Sequence, residues 1–197
     1  MTVGQVPASY PVQFGVDYPE AERNRLTVAF RVVLAIPALI VLWVINATRA
    51  LLFLPPLLLI LFRNKYPRWW FDWNLQLLRF ENRVVAYLLL LRDEYPSTDE
   101  EQSVHLDIGY PDVASELNRG LPLVKWLLAI PHYVVLAVLG IAVTVTVVVG
   151  WFIVLFTGRL PRGLFDFTVG VLRWSNRVTG YACILVTDVY PPFRLAP

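Results

Sequence analysis

The chain has 197 residues, of which 57% are hydrophobic and 16% are charged, and its formal net charge is +2. So apolar a composition is typical of a membrane protein rather than of a soluble domain. The basic residues are too few and too scattered to form a nucleic-acid-binding surface. Because Cys183 is its single cysteine, the sequence excludes an internal disulfide and a cysteine-based metal cluster.

Residues 24–94 recur as residues 118–188 with a constant spacing of 94 residues. The matching positions include Asn24/Asn118, Leu34–Pro37/Leu128–Pro131, Phe71-Asp72/Phe165-Asp166, Arg79/Arg173, Asn82-Arg83/Asn176-Arg177 and Tyr87/Tyr181. A repeat of this kind indicates one structural unit that is used twice. We therefore predict a disordered tail at 1–9, repeat unit 1 at 10–96, a polar linker at 97–102, repeat unit 2 at 103–192 and a short tail at 193–197.

Each unit opens with a short segment in which apolar residues alternate with polar or small ones, and this pattern predicts a half-buried strand. The apolar positions are Val12, Phe14 and Val16 in unit 1 and Val104, Leu106 and Ile108 in unit 2. Both segments are followed by Tyr-Pro, where proline cannot continue a strand ladder.

A long apolar run follows in each unit, at residues 26–62 and 121–157. As one straight helix, each run would be roughly 55 Å long, whereas the hydrocarbon core of a bilayer is roughly 30 Å thick. We therefore predict that each run folds back as a transmembrane helical hairpin, with the turn at Asn46–Arg49 in unit 1 and near Gly140 in unit 2. A shallower hairpin that enters and leaves the same leaflet is the alternative.

An amphipathic segment comes next, at residues 68–82 in unit 1 and 162–176 in unit 2. Polar residues fall on one face of a helix here and apolar residues on another, so we predict a helix that lies in the membrane interface. Tryptophan prefers that depth because its ring is apolar and its N–H needs a partner. The predicted interfacial anchors are Trp69, Trp70, Trp73 and Trp174.

Each unit closes with a second apolar segment, at residues 84–91 or 178–186. The later copy is rich in β-branched residues and contains Gly180, which favours a strand, and copies of a repeat should share one fold. The predicted fold class is therefore membrane α+β. It has two tandem repeats, each made of a strand, a transmembrane helical hairpin, an amphipathic interfacial helix and a strand, with about four transmembrane helices and a small cytoplasmic β-sheet in all.

Asp72 and Arg79 keep their spacing in unit 2, where they correspond to Asp166 and Arg173. A catalytic carboxylate beside a guanidinium is one interpretation. We favour a structural one, in which an Asp–Arg pair ties the interfacial helix to the sheet.

The dipeptides Asn82-Arg83 and Asn176-Arg177 stand where the interfacial helix is expected to end. Asparagine readily adopts the left-handed conformation that stops a helix, which explains its presence without a function. Arg83 and Arg177 are interpreted as structural residues of the repeat or as contacts to phosphate headgroups.

Arg31 and Lys125 occupy equivalent positions before the prolines of the two apolar runs. They are candidates for binding a lipid phosphate or another anion, although a basic side chain near a helix end more often extends to the membrane interface. His132 has Ala38 as its counterpart and lies within an apolar run, so it is a candidate for a proton relay or a ligand contact. The competing interpretation is a hydrogen bond to a neighbouring helix.

The duplicated combination of Tyr-Pro, Asn-Arg, Leu-Ala-Ile-Pro, Phe-Asp and Asn-Arg followed by Tyr resembles a bacterial polytopic membrane protein family known as a domain of unknown function (number 4389). The most typical run is LPLVKWLLAIPHYVVL, at Leu121–Leu136, and the resemblance spans Tyr10–Pro192. Unit 1 departs from the pattern because no His-Tyr pair follows Pro37. The resemblance implies a small polytopic membrane protein and no particular activity.

No phosphate-binding loop, catalytic motif or metal-ligand pattern is found, so we expect no enzymatic activity, no cofactor and no metal. We predict a non-enzymatic integral membrane protein that acts as an accessory subunit or as an organiser of the inner leaflet. The alternatives are a carrier or binder of lipid or another hydrophobic ligand between the two repeats, and a membrane-shaping hairpin protein.

The expected partners are membrane lipids and a protein in a membrane complex, and nucleic acid is not expected. Basic residues flank the apolar runs on the side that carries the polar segments, so the positive-inside rule predicts that both termini are cytoplasmic. The resemblance implies the bacterial inner membrane.

Overall fold

A computed structural model describes residues 10–52 and 54–197, so the tail predicted at residues 1–9 lies outside it. The elements in chain order are β1 (Val12–Val16), α1 (Arg25–Ala29), α2 (Arg31–Leu34), α3 (Ile36–Leu52), α4 (Leu54–Arg63), α5 (Arg68–Leu88), β2 (Val104–Ile108), α6 (Val113–Glu116), a 3-10 turn (Leu121–Leu123), α7 (Lys125–Leu128), α8 (Ile130–Thr157) and α9 (Arg162–Ala182).

The two strands form an antiparallel ladder in which Phe14 lies opposite Leu106. Both strands turn their apolar residues to the core, while Gln13, His105 and Asp107 are exposed on the outer face of the sheet. Phe14 and Leu106 hold the same position in their repeat units, since each is the central apolar residue of its strand. The ladder is therefore symmetric about this pair, and a pseudo-twofold axis relates the two units.

Helices α5 and α9 form a second layer beneath the sheet, and each packs on the strand of the other unit. α9 of unit 2 covers β1 of unit 1, and α5 of unit 1 covers β2 of unit 2. Both helices are amphipathic, so the face turned to the sheet is apolar. The two units are thus interlocked rather than placed side by side.

Helices α3 and α8 form a third layer on the far side of α5 and α9. α3 packs on α5 around Ala38 and Val84, and α8 packs on α9 around Leu136 and Val178. α8 has 28 residues and is roughly 42 Å long at about 1.5 Å per residue. Its inward face is a stripe at helical spacing that runs along the whole helix, made of His132, Leu136, Leu139, Val143, Val147, Gly150 and Val154.

The predicted hairpins are wrong. In unit 2, α8 continues through Gly140 without a turn, and in unit 1 the predicted turn at Asn46–Arg49 is part of α3. The prediction assumed that each apolar run crosses a bilayer at right angles. Instead, each run is interrupted at its start, immediately before Pro37 and Pro131, because a proline fits the first turn of a helix but not its interior.

The predicted number of membrane spans is also wrong. Within residues 10–52 and 54–197, one helix, α8, is long and apolar enough to cross a membrane, instead of about four. α3 and α4 are shorter, with 17 and 10 residues.

The strands predicted at residues 84–91 and 178–186 are wrong as well, since helices make up 61% of the described residues, which include only two short strands. α5 continues to Leu88 and α9 to Ala182, so neither helix ends at Asn82 or Asn176. β-branched residues are tolerated there because tertiary packing overrides their weak strand preference. The left-handed residues that redirect the chain come later, at Leu90 and Leu185, both with φ of 61°.

Candidate functional site

The pseudo-twofold axis passes between α5 and α9, where Asn82 meets Asn176. Nδ2 of Asn82 donates to Oδ1 of Asn176 over 2.9 Å, and Nδ2 of Asn176 donates to Oδ1 of Asn82 over 2.7 Å. Each amide also donates to a carbonyl in its own helix, at Leu78 or Leu172. Both side chains are buried, so this reciprocal pair satisfies polar groups that water does not reach.

Arg79 and Arg173 hold the second layer to the sheet in a symmetric way. Nε of Arg79 donates to the Leu106 carbonyl over 3.0 Å, and Nε of Arg173 donates to the Phe14 carbonyl over 2.9 Å. Each arginine therefore reaches the central residue of the other unit's strand. Arg79 also forms an ion pair with Asp107 at 3.2 Å.

Two tyrosines follow the strands and pack on the other unit. Tyr18 contacts the start of α9, and Tyr110 contacts the start of α5. Tyr18 meets Phe165 edge-on with ring centroids 5.0 Å apart, and Tyr110 meets Phe71 at 5.2 Å. A guanidinium also lies over each tyrosine ring, with Arg162 4.4 Å from the Tyr18 ring centre and Arg68 4.7 Å from the Tyr110 ring centre. The Tyr-Pro motif thus serves to lock one unit to the other.

Asp72 and Asp166 form no hydrogen bond or ion pair with Arg79 or Arg173, although the Asp166 charge opposes the lowering of the Arg173 pKa by burial. Asp72 is exposed and forms an ion pair with Arg68, one helical turn earlier, at 3.3 Å. Asp166 is exposed on α9. The arginines bind the sheet through backbone carbonyls and Asp107, so the carboxylates at the repeat-matched positions are not the groups that tie the helix to the sheet.

Arg83 and Arg177 bind loop carbonyls that follow the helices. Arg83 donates to the Ser97 carbonyl over 2.8 Å, and Arg177 donates to the Ala196 carbonyl over 2.9 Å. Burial is the main cause that lowers the pKa of the Arg177 guanidinium, and the neighbouring Arg194 and Arg173 charges lower this pKa further. Each arginine thus holds the segment that follows its helix against that helix.

Arg31 and Lys125 are buried, with 2% and 0% of their surfaces exposed. Arg31 donates to the Tyr87 carbonyl over 2.8 Å and forms an ion pair with Asp93. Lys125 donates to the Thr187 carbonyl over 2.8 Å and forms an ion pair with Asp188 at 2.6 Å.

Arg31 therefore binds the end of α5 and the segment that follows it, and Lys125 binds the segment that follows α9. Burial lowers the pKa of the Lys125 ammonium, and the hydrogen bond and charge of Asp188 oppose this effect. Both cations are thus buried and already have a carboxylate partner within their own unit.

Arg23 is buried like Arg31, Lys125 and Arg177, and the sequence alone did not single it out. Its guanidinium donates to the carbonyls of Leu90 and Leu91, beside the left-handed turn. Arg23 lies 3.9 Å from the Asp93 carboxylate that also pairs with Arg31. Burial is the main cause that lowers the pKa of the Arg23 guanidinium, to about 10.

His132 lies at the start of α8 inside a cluster of aromatic rings, with 0% of its surface exposed. Nε1 of Trp174 donates to Nδ1 of His132 over 3.0 Å, so the histidine proton resides on Nε2. The Phe193 ring stacks on the imidazole at 4.0 Å with 20° between the planes, and the Tyr190 ring lies 4.8 Å away. His132 is therefore enclosed by Trp174 and Tyr190 of its own unit and by Phe193 of the short tail.

The four tryptophans named as anchors occupy different environments. Trp69 is 68% exposed and Trp73 is 39% exposed, whereas Trp70 packs against the core and Trp174 is buried. Trp69 and Trp73 can lie at a membrane surface. Trp174 instead belongs to the His132 cluster.

The matched pairs Asn82/Asn176 and Arg79/Arg173 thus lie at an interface between the two halves of one chain. The sequence identified Asn82 and Asn176 as equivalent residues of the two units. It did not indicate that they contact each other, because that contact depends on how α5 packs against α9. The contacts of Tyr18, Tyr110 and Phe193 join segments that are distant in the sequence. Among the described residues, no group of three His, Cys, Asp or Glu side chains is placed to hold a metal ion.

A family model described as a domain of unknown function, DUF4389, matches residues 25–98 and again residues 122–194. The two matches cover most of the chain, so the chain belongs to this family as a tandem duplication. No curated protein and no solved structure matches the chain significantly.

Proposed function

We propose that this member of the family is a non-enzymatic integral membrane protein that organises the inner leaflet or serves as an accessory subunit of a membrane complex. In this proposal the third layer, with α3 and α8, contacts lipid or the membrane helix of a partner. The sheet at the opposite side remains in water.

The observation that carries the proposal is the exposure of α8. Its most apolar 18-residue stretch has a mean hydropathy of 2.6, yet only 17% of that stretch is buried. An apolar helix in the core of a soluble protein would be mostly buried, so α8 requires another apolar environment. Its outward residues include Val134, Val138, Ile141, Val145, Val148, Phe152 and Phe156.

The apolar surface continues from α8 to neighbouring short helices. α1, α2 and the start of α3 expose Leu26, Phe30, Val32, Val33, Ile36 and Ile40, and the region of α7 exposes Leu123, Trp126 and Leu127. The outer face of the sheet is polar instead, at Gln13, His105 and Asp107. A molecule with one apolar and one polar side suits a membrane surface.

Flotation with liposomes tests this proposal. We expect the wild-type protein to float with vesicles and the Val138→Asp/Val145→Asp variant to lose most of its vesicle binding. An aspartate at the centre of a membrane helix costs about 2.5–3.5 kcal/mol on the insertion scale. Circular dichroism in detergent should show the same helix content for both proteins, because these side chains point outward.

The matched control places two aspartates on the polar side, as Gly15→Asp/Gly109→Asp. An added Cβ meets no atom within 4 Å at either glycine, so the fold accepts both changes. This variant should float like the wild type. Flotation of the α8 variant at the wild-type level would refute the proposal, as would a wild-type protein that stays soluble and monomeric without detergent.

The two forms of the proposal differ in their partner. Native mass spectrometry after gentle extraction should find a stoichiometric protein for an accessory subunit and lipid alone for a leaflet organiser.

A further inference from the structure

Unit 1 has a cavity at the position where unit 2 has the His132 cluster. The cavity has a volume of 490 Å³ and lies between the start of α3, α5 and the linker. Its lining residues are Pro37, Ala38, Val41, Phe80, Tyr95, Pro96, Ser97, Thr98 and Glu100.

The repeat supplies an internal template for this cavity. Ala38 corresponds to His132, and Phe80 corresponds to Trp174, at the common spacing of 94 residues. In unit 2, the imidazole of His132 and the ring of Phe193 stack at 4.0 Å and occupy the space beside Trp174. Alanine at position 38 contributes no ring in unit 1, so the equivalent space is open.

The second ring is missing for a similar reason. Tyr95-Pro96 and Tyr190-Pro191 are the equivalent dipeptides that follow the long helices, and counting from them Thr98 stands where Phe193 stands in unit 2. Thr98 lines the cavity and is exposed. Two stacked rings in unit 2 thus have no counterpart in the side chains of unit 1.

The chemistry of the walls indicates the occupant. Phe80 is 5% exposed and Ala38 is 4% exposed, so the floor is apolar, and Tyr95 and two prolines offer flat surfaces for stacking. Glu100 lines the same cavity from the acidic linker and is exposed, with no ion-pair partner among the described residues. A flat ring that carries positive charge satisfies both features.

We propose that this cavity is a binding site for a planar aromatic cation, whose ring takes the place of the His132 and Phe193 rings of unit 2 and whose charge faces Glu100.

Ethidium, a planar aromatic cation that becomes more fluorescent in an apolar site, can be used as the probe in a titration of the full chain in detergent. The wild-type protein should bind one equivalent. The Ala38→His/Thr98→Phe variant copies the ring-bearing residues of unit 2 into unit 1 and should weaken binding at least tenfold. Thr98→Phe alone, at an exposed position where a larger side chain does not disturb the core, should weaken binding in part.

The charge is tested by Glu100→Gln, with Glu101→Gln as the matched control. Both variants remove one negative charge from the linker, but Glu101 does not line the cavity. We expect a several-fold loss of ethidium affinity for Glu100→Gln and none for Glu101→Gln.

Three results would overturn the proposal. They are wild-type affinity in Thr98→Phe and in the folded double variant, equal effects of the two glutamine variants, and absence of saturable binding by the wild-type protein.

Discussion

The side chains of Asn82 and Asn176 show how a single residue type can serve a duplicated chain. An asparagine amide carries a donor and an acceptor, so two asparagines related by a twofold axis can satisfy each other. The observed bonds of 2.9 and 2.7 Å form such a pair between α5 and α9. The amides fix the relative positions of the two helices, which apolar contacts alone would leave free to slide.

Replacement of one asparagine should therefore destabilise the protein more than replacement of both. Asn82→Leu leaves the buried amide of Asn176 without its cross-helix partner, which costs roughly 1–3 kcal/mol. The Asn82→Leu/Asn176→Leu variant removes both polar groups and should recover most of that loss. Thermal unfolding of the wild type, Asn82→Leu, Asn176→Leu and the double variant in one detergent measures the coupling, and additive losses would contradict the pairing.

At this scale the sequence predicted which residues matter better than it predicted what they touch. The repeat marked Arg79, Arg173, Asn82 and Asn176 as residues that both units need. Their partners belong to the other unit, and a comparison of two copies carries no information on how those copies pack. The sequence also showed that His132 has no histidine counterpart in unit 1. Its partner Phe193 could not be found in the same way, because Phe193 lies outside residues 118–188.

At the scale of elements, Gly180 sets how closely α9 approaches β1. A Cβ at this position would lie 2.6 Å from a methyl group of Val12, which is fully buried. The equivalent residue in α5 is Ala86, so the two halves approach their strands differently. The glycine that favoured a strand in the sequence is thus a point of close helix–sheet contact.

Gly180→Val should destabilise the protein by about 1–3 kcal/mol, because the added methyl groups overpack the core against Val12. Gly163→Val is the matched control in the same helix, since an added Cβ there meets no atom within 4 Å. Chemical denaturation of both variants measures the difference. Equal stabilities would show that α9 does not press on β1 as described.

The two opening strands were predictable because strict alternation of apolar and polar residues matches a strand with one buried face and does not match a helix. The starts of α5 and α9 followed from their amphipathic pattern, and their ends did not. Continuation to Leu88 and Ala182 depends on burial of residues such as Val84 and Val178 against other layers. The hairpins were mispredicted because bilayer thickness was used to set helix length, whereas proline positions and packing along α8 set it in the structure.

At the scale of the whole molecule, the two units share one sheet. α5 covers the strand of unit 2, and α9 covers the strand of unit 1. Neither half contains a complete core. An isolated two-stranded ladder is marginally stable at best, so the exchange of partners is also what stabilises the sheet.

A chain divided in the linker, between Glu100 and Glu101, should therefore reassemble. We expect the two halves to co-purify in equal amounts when co-expressed and to show the helix content of the intact protein. Expressed alone, each half should fail to yield a folded monomer. Division inside α9 is the control for nonspecific association, and a half that folds alone as a monomer would contradict the interlocked arrangement.

The interlocking also determines the order in which the protein can be completed during synthesis. β1 leaves the ribosome well before the helix that covers it, since Arg173 and Phe14 are separated by 159 residues. The apolar face of the first strand has no permanent cover until α9 has been translated. The pairing of β1 with its helix is therefore a contact between distant parts of the sequence, and contacts of this kind form slowly and leave apolar surface exposed in the meantime.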